Sequence, residues 1–134
     1  MSPPLYLESS ALLRLLLNQK GAAEVAERLS RASHVLASRL VRVEAERALL
    51  RIVLDRPELS RALPSLQSRL ADVCSQMQFL EMTRDVCDLA GRIAAGSRIR
   101  SLDAIHLATF EILRRLEPSS EILTYDDRLR AALP

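Results

Sequence analysis

Cysteine and histidine are scarce. Cys74 and Cys87 stand thirteen positions apart with no CxxC pair, and the chain has only two histidines, so neither a disulfide framework nor a zinc site is indicated. Both thiols are expected to be buried and reduced. No apolar run approaches the roughly 20 residues of a membrane span, and the N-terminus lacks a basic region followed by an apolar core and a cleavage site. No membrane association is expected, and the cytoplasm is the default address. The formal net charge of +2 is too small to announce nucleic-acid binding. Lysine is almost missing, Lys20 being the only one, so the basic residues are nearly all arginine. Arginine's planar fork suits bidentate phosphate contact, although a GC-rich coding sequence gives the same bias without functional meaning. No repeat, low-complexity tract or flexible linker interrupts the chain. Its 134 residues, 49% of them hydrophobic, fit a single domain over 1–134 that can bury a core.

Short apolar runs alternate with helical patterns. Leu5, Tyr6 and Leu7 read as a buried strand, and Ala11, Leu12, Leu15 and Leu16 then recur at helical spacing. A helical stretch over 22–31 precedes a second strand at 35–37. Ser38 is placed to cap a long helix to about residue 54, broken at 55–57 by Pro57. A further helix is expected over 58–74, a third strand in QFLEM (78–82), and a helix over 84–95 ended by Gly96. Ser101 is expected to cap a helix to residue 116. EILTY (121–125) gives a fourth strand, followed by Asp126 and a short helix containing Arg128 and Leu129. Parallel neighbours need long crossovers, so the alternation predicts an α/β fold with a parallel sheet covered by helices.

Four acids occupy related places in that scheme. Glu8 follows strand one, Asp126 follows strand four, Asp103 lies in the first turn of a capped helix, and Glu44 sits early in another. From its own segment alone, the plainer reading of Glu8 is a helix cap acting with Ser9 or Ser10. Taken together, the four can converge at the carboxyl edge of a parallel sheet, where such folds place their chemistry. Close carboxylates raise one another's pKa values unless a cation joins them. Oxygen-only ligands suit Mg2+ or Mn2+, and a hard ion retaining waters would meet a phosphate there. Metal-assisted phosphodiester hydrolysis is the chemistry so implied.

The same segments resemble a known family, the PIN-domain ribonucleases, and within it the VapC-type toxins of toxin–antitoxin pairs. YLESSALLRLL is similar to the family's opening, where a strand ends in an aspartate followed by a small hydroxyl residue and an apolar helix. SRLVRVEAERAL resembles the segment carrying the family's glutamate, at Glu44. IRSLDAIHLATF places the central aspartate at Asp103, and ILTYDDRLRAAL puts Asp126 in the terminal position. The resemblance implies a PIN-like three-layer domain with a short central parallel sheet of four to five strands flanked by helices. It further implies an endoribonuclease whose Glu8, Glu44, Asp103 and Asp126 hold Mg2+ or Mn2+, with the number of ions open. A single-stranded or loop RNA substrate and a VapB-like antitoxin are the implied partners, and any surplus apolar surface on the leucine stripes is an interface candidate for a homodimer or for an antitoxin segment. Glu8 departs from the family's aspartate, which leaves as the alternative a degenerate PIN domain that binds RNA or a protein without cutting.

Other candidates carry plainer readings beside functional ones. Asp127 could replace Asp126, but the motif register favours Asp126. Ser10 could hydrogen-bond a ligand carboxylate or cap the helix. Arg98 and Arg100 are candidates for RNA backbone contact, with surface ion pairing as the alternative. Glu46 is expected to be a solvated acid or to pair with an arginine, His106 to be structural, and His34 has no evident partner. Leu12, Leu15, Leu16, Leu49 and Leu50 are expected in the core.

Overall fold

Alternation along one short strand organises the molecule. The computed structural model describes residues 2–134. Strand β1 (Leu5–Leu7) is buried throughout, so it must satisfy both faces of the sheet. Leu5 and Leu7 point to one side and Tyr6 to the other. On the leucine side they join Leu12, Val25, Val41, Ala45, Leu49 and Leu70 in the larger core. Tyr6 joins Leu36, Phe110 and Leu113 in a smaller core on the opposite side. Helices α1 (Ser9–Leu16), α2 (Ala22–Arg31), α3 (Leu40–Asp55) and α4 (Leu63–Ser75) supply the first layer. Helix α6 (Ser101–Leu116) supplies the second, with α5 (Arg84–Ala90) packed on it. Of the leucine stripes, Leu12, Leu16 and Leu49 are fully buried and Leu15 packs against the core from its margin, while Leu50, expected with them, is half-buried and belongs to neither core.

The remaining strands are β2 (Val35–Ser38), β3 (Gln78–Leu80) and β4 (Glu121–Leu123). All four pair in parallel in the order β3-β2-β1-β4, with Tyr6 opposite Leu36 on one side and Ile122 on the other. The parallel α/β sheet expected from alternation is present, with four strands. After β1 the chain builds outward through β2 and β3, then returns to the far side of β1 as β4. The carboxyl ends of β1 and β4 therefore flank the point where strand order reverses, the crevice where open α/β sheets bind ligands. Glu8 leaves the end of β1 there, its N–H donating to the Leu123 carbonyl at 3.1 Å. Helix α7 (Asp127–Ala132) follows β4 from the same edge.

Several local expectations need correction. The helix expected over 58–74 is a 3-10 segment (Pro57–Ala62) followed by α4. Pro64, in the first turn of α4, explains the join, since it has no N–H to carry the helical hydrogen-bond ladder across from the preceding segment. Helix α5 stops at Ala90, and residues 91–96 turn, with Ala94 in the left-handed region at φ 51. Gly96 thus lies beyond the helix end. Ser101 is the first helical residue and the cap position falls on Arg100. Asp103 satisfies the Arg100 N–H from inside the helix, at 3.5 Å. Ser38 ends β2 and the cap position of α3 falls on Arg39, which makes no side-chain capping bond; the Ser38 hydroxyl still accepts from the Leu40 N–H at 3.2 Å. Cys74 is buried but Cys87 is exposed. Two side chains find named partners: Glu46 pairs with Arg42 at 2.9 Å, and His34 lies 3.9 Å from Glu117. No described helix is long and apolar enough to cross a membrane.

Gly21, at φ 98, precedes α2 in a conformation that L side chains rarely adopt. A Cβ there would also meet the Tyr125 ring at 3.0 Å. The ring lies under the Arg14 guanidinium, 4.4 Å from its centroid, which ties α1 to the loop after β4.

Candidate active site

Glu8 is 3% exposed and caps α1 with its side chain. Its Oε2 accepts from the Ser10 N–H at 2.8 Å, the Ser10 hydroxyl at 2.6 Å and the Thr124 hydroxyl at 3.2 Å. The Ser9 hydroxyl reaches Oε1 at 3.3 Å. A buried carboxylate needs such donors, and the amino end of a helix is a favourable place for its charge. The donors in turn hold the neighbouring loop. Ser10 Oγ accepts from the Tyr125 N–H at 2.8 Å, and Thr124 Oγ1 accepts from the Asp126 N–H at 3.1 Å. Glu8 therefore clasps the segment that carries Asp126.

Glu44, in the second turn of α3, has its Oε1 2.5 Å from Nε2 of His106 on α6. The other ring nitrogen, Nδ1, is 2.9 Å from the Tyr6 hydroxyl. An ionised carboxylate can only accept, so Nε2 carries a proton toward Glu44; in the neutral ring Nδ1 then accepts from Tyr6. His106 is 1% exposed. This buried bridge fixes one oxygen of Glu44 against the centre of the sheet. Burial, reinforced by the negative charges of Glu8 and Glu44, pushes the Tyr6 hydroxyl well above its ordinary value. The folded protein then keeps a proton that the unfolded chain releases above about pH 10, so stability falls as pH rises past that point. One such group contributes up to about 1.4 kcal/mol per pH unit. Burial also raises the Cys74 thiol, which adds to the alkaline loss from a lower pH. Tyr6→Phe is expected to flatten the steeper part and to cost on the order of 1 kcal/mol at neutral pH through the bond lost at His106. Urea melts between about pH 8 and pH 11 measure both; parallel alkaline slopes in the two proteins would remove Tyr6 as the cause.

Asp126 caps α7, its Oδ1 accepting from the Arg128 and Leu129 N–H groups at 2.9 and 3.2 Å. Asp103 uses Oδ2 on the Arg100 N–H. Glu44, Asp103 and Asp126 thus share one arrangement: one oxygen is fixed by the fold, and the other accepts no hydrogen bond from a described residue. All three line a single open cleft of about 840 Å³, together with Asp127, Arg51, Arg100 and Arg128. Asp127 is almost fully exposed, with a side chain at 96%. Glu8 stands apart from this lining, behind Thr124, with both oxygens engaged. Arg100 lines the cleft and Arg98 does not, although both are exposed.

An oxygen-only set of this kind fits a hard divalent cation in donor chemistry. Its carboxylates are not drawn together, however: among the described residues no group of three or more His, Cys, Asp or Glu is spaced to hold an ion. Thr124, Tyr6, Arg51 and Arg128 are contributors that sequence reasoning missed. Thr124 stood inside the quoted ILTYDD segment, a usable signal; the Tyr6–His106 contact joins residues 100 positions apart and had none.

Comparison with known proteins bears on the family and the fold. The PIN domain family model matches residues 5–132. Ribonuclease VapC35 of Mycobacterium tuberculosis is 32% identical over 134 residues, covering 96% of this chain and 88% of that protein. Ribonuclease VapC46 of the same species is 35% identical over 129 residues, with the same coverage of each. Among solved structures, a toxin–antitoxin complex from Klebsiella pneumoniae superposes with a TM-score of 0.72 at 15% identity, over 97% of this chain and 92% of that one. VapBC2 from Rickettsia felis, bound to a DNA fragment from its promoter, superposes at 0.62 and 13% identity, over 92% and 99%. Those two likenesses speak for the fold, while the match of the family model across almost every residue and the relatives above 30% identity establish descent: the chain belongs to the PIN-domain family, in its VapC-like branch.

Proposed function

We propose that this protein is a metal-dependent endoribonuclease, the toxin of a toxin–antitoxin pair. The observation that carries the reading is the shared deployment of Glu44, Asp103 and Asp126, each with one anchored and one unengaged oxygen on the same cleft at the strand-order reversal. Those three would hold Mg2+ or Mn2+ by closing on the ion, since without a cation like charges keep them spaced too widely to do so. Glu8 would join them only by exchanging Ser10 or Thr124 for the ion, and otherwise acts by clasping the Asp126 loop. Bound there, the ion would supply an activated water and stabilise charge developing on the scissile phosphate. The chain's own residues orient: His106 sets Glu44, the α6 amino end sets Asp103, and the α7 cap sets Asp126. No protein nucleophile is required. Single-stranded or loop RNA is the substrate that an open cleft can admit. The relatives' name of ribonuclease supports the activity, and neighbours solved as toxin–antitoxin complexes support a VapB-like antitoxin as partner. Val43 and Leu102, 55% and 47% exposed beside the cleft residues, give such a partner apolar surface to cover. A homodimer belongs to the same reading and would cover exposed Leu54 or Leu116.

A non-cutting PIN domain is the second reading, favoured by one observation: Glu8 is tied into its own hydroxyl cage. Cleavage of total RNA by the purified protein, with manganese and with EDTA, separates the two. Metal binding has its own readout. An ion that binds only the folded state at about 100 times its Kd adds about 2.7 kcal/mol, a rise in Tm on the order of 10 °C for a chain of this size. Manganese is expected to produce a shift of that order and Asp103→Asn to shrink it. A melting temperature indifferent to manganese and EDTA alike would count against the ion site.

A further inference from the structure

The cleft holds more charge than the acids explain. Arg51, Arg100 and Arg128 line it beside Glu44, Asp103, Asp126 and Asp127. Elsewhere on the surface arginines find carboxylates: Arg39 takes Glu81, Arg42 takes Glu46, and Arg114 takes Glu111. In the cleft, among the described residues, none of the three guanidinium groups pairs with the four carboxylates around it. We infer that Arg51 and Arg128 are phosphate-binding residues that seat the RNA backbone beside the acids, in the cleft that Arg100 also lines. This rests on the cleft being the RNA-cleaving site, and it deepens that reading by naming what grips the strand.

The placement is specific. Arg51 follows Glu44 by seven residues, so it lies on the same face of α3 two turns further on, about 10 Å along the axis. Arg128 sits in the first turn of α7, where its backbone N–H is held by Asp126 Oδ1, which fixes the root of its side chain. Guanidinium forks suit phosphate oxygens bidentately, and they lose less freedom per bond than lysine. A cleft of about 840 Å³ exceeds what an ion and its waters occupy and has room for nucleotides on either side. The four carboxylates would repel an acidic protein segment as strongly as they repel RNA. A nucleic acid, unlike such a segment, brings phosphate oxygens that a divalent ion on those carboxylates also attracts, and this favours it as occupant.

Salt dependence tests the inference without requiring turnover. A fluorescein-labelled single-stranded oligouridylate is titrated in EDTA at several potassium chloride concentrations, with anisotropy as the signal. Each phosphate contact on a single strand contributes about 0.7 to the slope of log affinity against log salt. Arg51→Ala and Arg128→Ala are each expected to lower that slope by about 0.7, and the double variant by about 1.4. Arg84→Ala, on α5 outside the cleft, is the control and is expected to leave the slope unchanged. Circular dichroism melts confirm that the exposed substitutions leave the fold intact. Unaltered slopes in both variants, while the native protein binds, would overturn the inference; manganese-dependent cleavage by the same preparations would then show the enzyme reading standing without it. If the native protein neither binds nor cuts RNA, both fall. If the variants keep native RNA binding and lose affinity for poly-glutamate, the arginines serve an acidic protein partner and the inference is likewise overturned.

Discussion

Asp103→Asn is expected to lower RNA cleavage by about a hundredfold or more, and to release a bacterial host from growth arrest when expressed in place of the native chain. Losing even a residue behind the ligands of a metal site costs about 10- to 100-fold, and in the proposed site Asp103 would be a ligand itself. The substitution nearly preserves volume. Its remaining amide oxygen can still accept from the Arg100 N–H, so the start of α6 should persist and the loss should appear in rate, with stability little changed. Asp126→Asn is expected to behave alike, because Oδ1 takes the α7 cap and only the unengaged oxygen changes character. Asp127→Asn serves as contrast: that side chain is 96% exposed and anchors nothing but a 4.0 Å approach to Arg130, so its loss should cost less than threefold. Time courses on a labelled RNA with manganese measure all three. Cleavage by Asp103→Asn at the native rate would end the catalytic assignment of the central aspartate.

Glu8→Ala is expected to cost about 3 kcal/mol of stability, a large share of the 5–15 kcal/mol that holds a typical domain together. The substitution removes an N-cap. It also removes the shared acceptor of the buried Thr124 hydroxyl and the half-buried Ser10 hydroxyl, which both give their protons to Oε2 and are left with only each other, 3.3 Å apart. Hydrogen bonds to a charged group are worth about 1.5–3 kcal/mol apiece, offset by no longer burying the carboxylate. Because the same hydroxyls accept from the Tyr125 and Asp126 N–H groups, cleavage should fall further than folding does. Glu8→Asp is the informative partner. It keeps a charge and a better capping residue but withdraws the carboxylate by about 1.5 Å. If it restores stability and raises cleavage, the carboxylate acts best as a ligand near the ion. If it restores the cap while cleavage stays low, the reach to Thr124 is what matters. Urea melts and cleavage rates on the three proteins decide the matter; a Glu8→Ala protein as stable and active as the native one would show that the clasp holds nothing.

Local pattern carried the elements. The periodicity switch from Leu5–Leu7 to Leu12 and Leu16, the proline breaks, and the fourfold alternation of strand and helix express short-range physics: side-chain direction, φ restriction and the need to bury one face. From these followed a parallel sheet and the placing of four acids near its carboxyl edge, and the ordered motifs around Glu8, Glu44, Asp103 and Asp126 pointed to the PIN family that the matches establish. Where local competition was close, the pattern misled. Pro64 split one helix, and α5 yielded to turns after Ala90 without a helix-ending glycine in a left-handed conformation.

What each carboxylate does was decided only by tertiary structure. Strand order β3-β2-β1-β4 brings Thr124 against Glu8, and packing of α6 across the sheet brings His106 between Tyr6 and Glu44, joining residues 62 and 100 positions apart. Neither contact is written in any window of the chain. An acid with both oxygens engaged and one that keeps an oxygen free look identical in sequence, because both follow a strand and precede a helix. They differ in which donors reach each oxygen. Those donors come from distant segments, so Glu8 folds inward onto hydroxyls from the β4 loop, whereas Asp126, one strand away, keeps an oxygen for the cleft.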